Sequence, residues 1–150
     1  MMDKPRRVCP ACGFVYFTDP KVGVGVLVVQ GEEVLLVRRL MNPERGKWSL
    51  PAGFLDHGED PQETAAREVW EETHLRVAID GLVDVYYNPP AGAGGASVFI
   101  LYYGHVVDGE LQAGDDADAA AFFYLNALPE LAFRSTQEAI ARWQTRVPPP

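Results

Sequence analysis

The sequence predicts an α/β fold, and three observations carry that reading. Apolar, β-branched runs of strand length recur along the chain, beginning with Lys21 to Gln30 (KVGVGVLVVQ). A sharply signalled helix stands among them, opened by Asp60-Pro61-Gln62-Glu63. At 150 residues, with no internal repeat, the chain suits one domain with a real core rather than two. That domain is placed at 21–147, behind an N-terminal arm at 1–20. A hydrophobic content of 47%, with 11% aromatics, excludes a disordered chain.

The arm holds Cys9-Pro10-Ala11-Cys12-Gly13 and then Phe14-Val15-Tyr16-Phe17. Cys-x-x-Cys before glycine looks like one knuckle of a zinc ribbon, but structural zinc takes four N or S ligands. A second cysteine pair is absent, and His57, His74 and His105 have no ligand-like spacing. A degenerate knuckle or a small hydrophobic arm is therefore preferred to Zn2+ at Cys9 and Cys12. A redox pair is weaker still, because no strand precedes it and no helix pattern follows. Two cysteines make no disulfide framework, which points to a reducing cytoplasm.

Lys21 to Gln30 reads as a buried strand, with Gly23 and Gly25 inside it as structural glycines rather than a dinucleotide fingerprint. Gly31-Glu32 turns the chain into Glu33 to Leu40, making residues 22–40 a hairpin. Met41 to Lys47 is a loop, and Trp48-Ser49-Leu50 is a short strand closed by Pro51.

The helix follows, with Asp60 as N-cap, Pro61 at the first helical position and Glu63 three residues after the cap. It is predicted from Pro61 to about His74. At about 100° per residue, Ala65, Ala66, Val69, Trp70 and Thr73 form a buried arc, and Glu68, Glu71 and Glu72 form an adjoining one. Arg67 is placed to pair with Glu63 and Glu71, each four residues away.

Beyond the helix, Arg76–Ile79 and Leu82–Tyr87 read as strands broken at Asp80-Gly81. Asn88 to Ala96 is a Pro/Gly loop, and Ser97 to Val107 is the longest strand, ended by a hairpin turn at Asp108-Gly109. Asp115 to Asp118 forms an acidic loop before a strand at Ala119–Tyr124. A last helix opens at Arg134 or Ser135 and runs to about Arg146, with Ala139, Ile140 and Trp143 on its apolar face. The tail Pro148–Pro150 is read as frayed.

A net charge of −8, from 13 basic and 21 acidic residues, argues against nucleic acid as a partner. No apolar run approaches the roughly 18 residues that span a bilayer, and the N-terminus lacks the apolar stretch of a secretory signal. Acidic residues on a helix are ordinarily a solvated face. Here Glu68 faces Glu71 and Glu72 at i+3 and i+4, where like charges cost a few tenths of a kcal/mol per pair, and one arginine stands beside three carboxylates. A divalent cation removes that repulsion, and Mg2+ or Mn2+ prefers such oxygen ligands. It also reconciles a negative protein with a phosphorylated substrate.

Gly53, Glu59, Arg67, Glu68, Val69, Glu71, Glu72 and Leu75 match the signature of the Nudix hydrolases, G-x5-E-x7-R-E-U-x-E-E-x-G-U with U a bulky apolar residue. The chain resembles that family over residues 9–133, tightly so over 53–75. One signature position departs: His74 stands where the family has a glycine that ends the helix in a left-handed conformation, which His tolerates better than a β-branched residue. The resemblance implies an α/β/α sandwich with a mixed sheet. It also implies water attack on a phosphorus of a nucleoside diphosphate linked to another group.

Carried over by position, Glu68, Glu71 and Glu72 become the main Mg2+ ligands, with Glu59 assisting. Arg67 orients them, and Gly53 lets the backbone approach the metal. The general base is open between the helix glutamates and Asp116. Pro90, about 15 residues past Leu75, resembles the ADP-ribose pyrophosphatase branch, whereas the Cys-x-x-Cys arm resembles the branch of NADH pyrophosphatases, whose downstream motif is missing. Tyr86 and Tyr87 are read either as stacking on a base or as core tyrosines. The implied substrate is a small nucleotide, ADP-ribose or a nucleotide sugar. The alternatives are NADH, nucleoside triphosphates, dinucleoside polyphosphates, or a non-catalytic sensor of a nucleotide. A homodimer is compatible with all of these.

Overall fold

In the computed structural model, which describes residues 4–92 and 94–146, the strand at Lys21–Gln30 is the axis of the molecule. Two short strands precede it, β1 (Arg7–Val8) and β2 (Val15–Tyr16), which pair only with each other. The axial strand, β3, is followed by β4 (Glu33–Arg39), β5 (Trp48–Ser49), β6 (Ala52–Phe54) and helix α1 (Pro61–Thr73). Then come β7 (Leu75–Asn88), β8 (Ser97–Gly109), β9 (Ala117–Tyr124) and helix α2 (Arg134–Gln144). The larger sheet has seven strands in the order β5-β4-β3-β8-β7, with β6 added to β3 and β9 to β4. It is mixed: β3 and β8 run parallel, and the other pairs are antiparallel.

Side chains on β3 alternate between the faces, as the period of two requires. Val24, Val26 and Val28 point into a core shared with Ala65 and Val69 of α1. Leu27 points the other way, into a core shared with Ala139 and Ile140 of α2. The result is the expected α/β/α sandwich with a mixed sheet. Gly23 and Gly25 are structural as read, because the Phe99 ring of β8 lies across them; a Cβ on Gly25 would come within 2.8 Å of that ring and 2.9 Å of the Pro51 carbonyl.

Several local expectations are corrected. The short strand before Pro51 ends at Ser49, and directly after Pro51 an unforeseen strand, Ala52–Phe54, returns as β6 against Gly23–Gly25. Asp80-Gly81 does not break β7; the strand runs through with a shift of register, and Gly81 leaves room for Tyr103, whose ring a Cβ would approach to 2.7 Å. Asp108-Gly109 is not a turn but the last pair of β8, opposite Leu75 and Arg76. The final strand begins at Ala117, two residues earlier than read, because Arg38 on β4 holds Asp118 through two hydrogen bonds, at 2.7 and 3.1 Å. A two-residue strand does precede the Cys-x-x-Cys turn, though no helix follows it; the turn closes through Gly13 N–H donating to the Cys9 carbonyl at 2.9 Å, and both thiols are free. The residues Val147 and Pro148–Pro150 lie outside the described ones. No described helix is long and apolar enough to cross a membrane.

The buried arc of α1 is also turned from the predicted one. Thr64, Ala65, Val69 and Thr73 are buried, but Trp70 is 37% exposed and Glu72 only 8%. The helix presents a carboxylate to the sheet because a backbone donor waits there. Ala52 N–H of β6 donates to Glu72 Oε2 at 3.3 Å, which offsets part of the cost of burying a polar group.

Candidate functional site

The site is built on α1, whose two ends are fixed by local chemistry. At the N-terminus, Asp60 Oδ1 accepts from Gln62 N–H at 2.9 Å and Glu63 N–H at 3.0 Å, with Pro61 occupying the position where a missing donor costs nothing. At the C-terminus, His74 takes the left-handed conformation at φ 58°, and its N–H donates to the Trp70 carbonyl at 2.8 Å. The helix is thereby held in register against β6 and the 55–60 loop.

Arg67 is the hub of one side. It meets Glu59 at 2.5 Å, Glu71 at 3.3 Å and Glu68 at 3.6 Å. Glu63, expected as a partner, takes no part; the 55–60 loop brings Glu59 within reach instead. Glu59 also accepts from Asp56 N–H at 2.9 Å. The Arg67 hydrogen bond, followed by the one from Asp56, holds the Glu59 carboxyl below the usual carboxylate range. Its position suits bracing the loop and the arginine.

Glu68 and Glu72 behave in the opposite way. Burial, and then the charge of Glu71, pushes the Glu68 carboxyl up to about 7. Burial, and then the charge of Glu68, pushes Glu72 up to about 8. Two acids at this density resist ionising together. A third and fourth stand close: Glu68, Glu71 and Asp115 each offer a carboxylate oxygen within 4.8 Å of the others. A Cβ on Gly53 would overlap the Glu68 carboxylate, so only glycine lets β6 pass this close to it. An all-oxygen set of this kind fits a hard divalent cation such as Mg2+ or Mn2+ and lacks the N or S donors that zinc prefers. It is the only such group of three or more potential ligands among the described residues.

Asp115 is the residue that sequence reasoning missed. The sequence points to the acidic loop and, within it, to Asp116 as a candidate general base, not to Asp115 as a neighbour of the glutamates. In the structure Asp115 adopts φ 52° and stands with Glu68 and Glu71. Asp116 lies one residue on, where its carbonyl accepts from Leu40 N–H at 3.1 Å. The choice between these neighbours depends on how the loop docks against α1, a contact that no local pattern encodes.

The three residues proposed for substrate recognition share one end of β7 but differ in exposure. Tyr86 is half-buried in the core on the α2 side, where burial raises its phenol pKa. Tyr87 is 67% exposed and, by strand alternation, points to the other face. Pro90 is exposed in the loop after β7. All three lie toward the end of β7 opposite Leu75, which adjoins the C-terminus of α1.

The NUDIX domain profile matches residues 19–144. The chain is 40% identical over 117 residues to an ADP-ribose pyrophosphatase of Methanocaldococcus jannaschii, across 78% of this chain and 69% of that protein. It is 33% identical over 138 residues to the NAD-capped RNA hydrolase NudC of Pseudomonas aeruginosa, across 89% of this chain but only 46% of that protein. Among solved structures, a NUDIX hydrolase from Nitrosomonas europaea aligns with a TM-score of 0.83 at 33% identity, over 93% of this chain and 78% of that one. A MutT NUDIX hydrolase from Burkholderia pseudomallei aligns with a TM-score of 0.77 at 29% identity, over 83% of this chain and 98% of that one.

Proposed function

The chain belongs to the NUDIX family and by that membership is a pyrophosphohydrolase; on this premise we propose that it cleaves ADP-ribose or a nucleotide sugar with Mg2+ as cofactor. The observation that carries the proposal is the convergence of Glu68, Glu71 and Asp115 beside the nearly buried Glu72. The Methanocaldococcus jannaschii relative, an ADP-ribose pyrophosphatase, supports ADP-ribose within that class. Glu68, Glu71 and Asp115 would hold the cation, with Glu72 next to them against β6. Once bound, a divalent cation neutralises pyrophosphate charge and makes water a stronger nucleophile near neutral pH.

The protein's own groups do the rest. Arg67 braces Glu59, Glu68 and Glu71 through its three ion pairs, so the carboxylates keep their places as charge moves. Proton acceptance from the attacking water falls to the helix glutamates, with Glu72 favoured because it stands beside the cation-binding group rather than within it. Asp116, one residue from the convergent set, is the weaker candidate for that role. For the base of the nucleotide, the exposed ring of Tyr87 is the better stacking surface, because Tyr86 is committed to the core. The free thiols of Cys9 and Cys12 are consistent with a reducing cytoplasm.

A second reading, cleavage of NADH, has specific support in the Cys-x-x-Cys arm and in the Pseudomonas relative. A panel of ADP-ribose, nucleotide sugars, NADH, nucleoside triphosphates and dinucleoside polyphosphates, each with and without Mg2+, separates the two. The expected outcome is Mg2+-dependent release of AMP from ADP-ribose. Faster turnover of NADH would select the second reading, and tight binding of one compound with turnover of none would overturn both.

A further inference from the structure

His74 is the one signature position at which this chain departs from its family, and the structure gives the substituted side chain something to do. A glycine at this place supplies only a left-handed residue at the end of a helix. His74 supplies that conformation, at φ 58°, and adds a ring. The ring packs edge-on against Trp70, with centroids 5.4 Å apart. Its Nδ1 lies 2.8 Å from the Gln112 carbonyl oxygen. A carbonyl can only accept, so Nδ1 carries the proton in this contact.

Gln112 belongs to the 110–116 loop, and the loop meets the end of α1 at two further points. Gln112 N–H donates to the Thr73 carbonyl at 2.9 Å, and Gly114 N–H donates to the Glu72 carbonyl at 3.0 Å. These are carbonyls that a helix end leaves without an intrahelical donor. The fit at Gly114 is close: a Cβ there would come within 2.6 Å of the Glu71 carbonyl oxygen and 2.9 Å of the His74 ring. The next residue is Asp115, itself left-handed at φ 52°, with a carboxylate oxygen within 4.8 Å of those of Glu68 and Glu71. The backbone contacts and the imidazole thus end one residue short of the acid that completes the group.

We propose that His74 is a positioning residue, which fastens the 110–116 loop to the C-terminal end of α1 and so places the Asp115 carboxylate beside Glu68 and Glu71. The proposal rests on the reading of those three acids as the cation-binding group. It gives a reason for the loss of the signature glycine that the turn alone does not.

The test uses His74→Gly, which keeps the left-handed turn and removes the ring, and His74→Asn, whose amide nitrogen stands the same number of bonds from Cα as Nδ1 and which also tolerates that turn. Two readouts are taken on the metal-free and Mn2+-titrated proteins: hydrogen exchange at the Gln112 and Gly114 amides, and Mn2+ affinity. In His74→Gly, both amides should exchange at least about 10-fold faster, and Mn2+ affinity should fall roughly 10-fold. His74→Asn should recover most of both. In an Asp115→Asn background, His74→Gly should cost no further Mn2+ affinity. Unchanged exchange in His74→Gly, or an equal loss of affinity in both backgrounds, would overturn the proposal. Asp115→Asn with wild-type Mn2+ affinity would instead overturn the reading of Asp115 as a ligand. Neither readout uses a nucleotide, so an error in the substrate class shows in the panel and leaves this result standing.

Discussion

The two helices lie on opposite faces of one sheet and bury different mixtures of side chain, mainly apolar on α2, where Thr136 is the exception, and mainly polar on α1. On α2, Ala139 and Ile140 pack into the core, while Arg134, Glu138 and Arg142 stay outside. Its N-cap, Phe133, makes no side-chain hydrogen bond, so its place depends on packing. On α1, three of the five buried side chains are polar or charged: Thr64, Thr73 and Glu72 are sequestered beside Ala65 and Val69. That helix is held by caps at both ends and by ion pairs along one side. α2 stabilises the sheet through apolar burial, and α1 gives up some of that burial to hold acids where water is scarce. Sites of this kind commonly cost stability.

The largest effect expected from this contrast is on α1. Glu72→Gln should lower turnover of the best substrate by roughly 1,000-fold, yet leave the metal-free protein at least as resistant to thermal unfolding as wild type. The amide is neutral and can still accept from Ala52 N–H. A large loss of stability with modest loss of turnover would reverse the roles assigned to the two helices.

The mirror experiment is on α2. Ile140→Ala empties a position that is 2% exposed and should cost about 2–4 kcal/mol in denaturant unfolding. Turnover per folded molecule should not change. If kcat falls while the protein is fully folded, α2 contributes to the site after all.

A smaller effect should appear with pH. Glu68 and Glu72 have folded pKa values of about 7 and 8, above the usual 4.5. Without a cation the folded chain therefore holds protons that the unfolded chain has released. That stabilisation is full below the unfolded value and is lost as pH rises through the folded ones. In chelator, Tm should fall by roughly 2–6 °C between about pH 5 and about pH 8.5. Glu72→Gln should flatten the slope, and Mg2+ should raise the alkaline end by binding the folded state. A Tm that rises across this window would contradict the burial-driven shifts.

Much of α1 was legible because its signals are local. Asp60, Pro61 and Glu63 set its start within four residues, and helix phase alone places Glu68, Glu71 and Glu72 on one arc. The β3–β4 hairpin was legible for the same reason, with a turn at Gly31 between two β-branched runs. Trp70 departs from the expected arc because apolar character alone does not decide which side of the helix faces the sheet. Glu72 is buried there instead, because β6 offers it a backbone donor, and β6 was hidden behind Pro51. The breaks read at Asp80-Gly81 and Asp108-Gly109 failed because turn-forming residues also serve bulges and close strand approach. Gly81 yields to Tyr103, a partner 22 positions along the chain.

By itself, then, the sequence determined the class of fold, the capped helix, the arc of acids and the family to which they belong. Each of these is read from local patterns, strand by strand or within the 53–75 stretch, where residue type and spacing go far to set the backbone. The tertiary structure alone decided that Asp115 rather than Asp116 joins Glu68 and Glu71, that Arg67 is shared with Glu59 rather than Glu63, and that His74 grips Gln112. Those contacts join segments that lie far apart along the chain or belong to loops. There the partner is chosen by which surfaces the folded sheet brings together, and no local preference of the backbone specifies it.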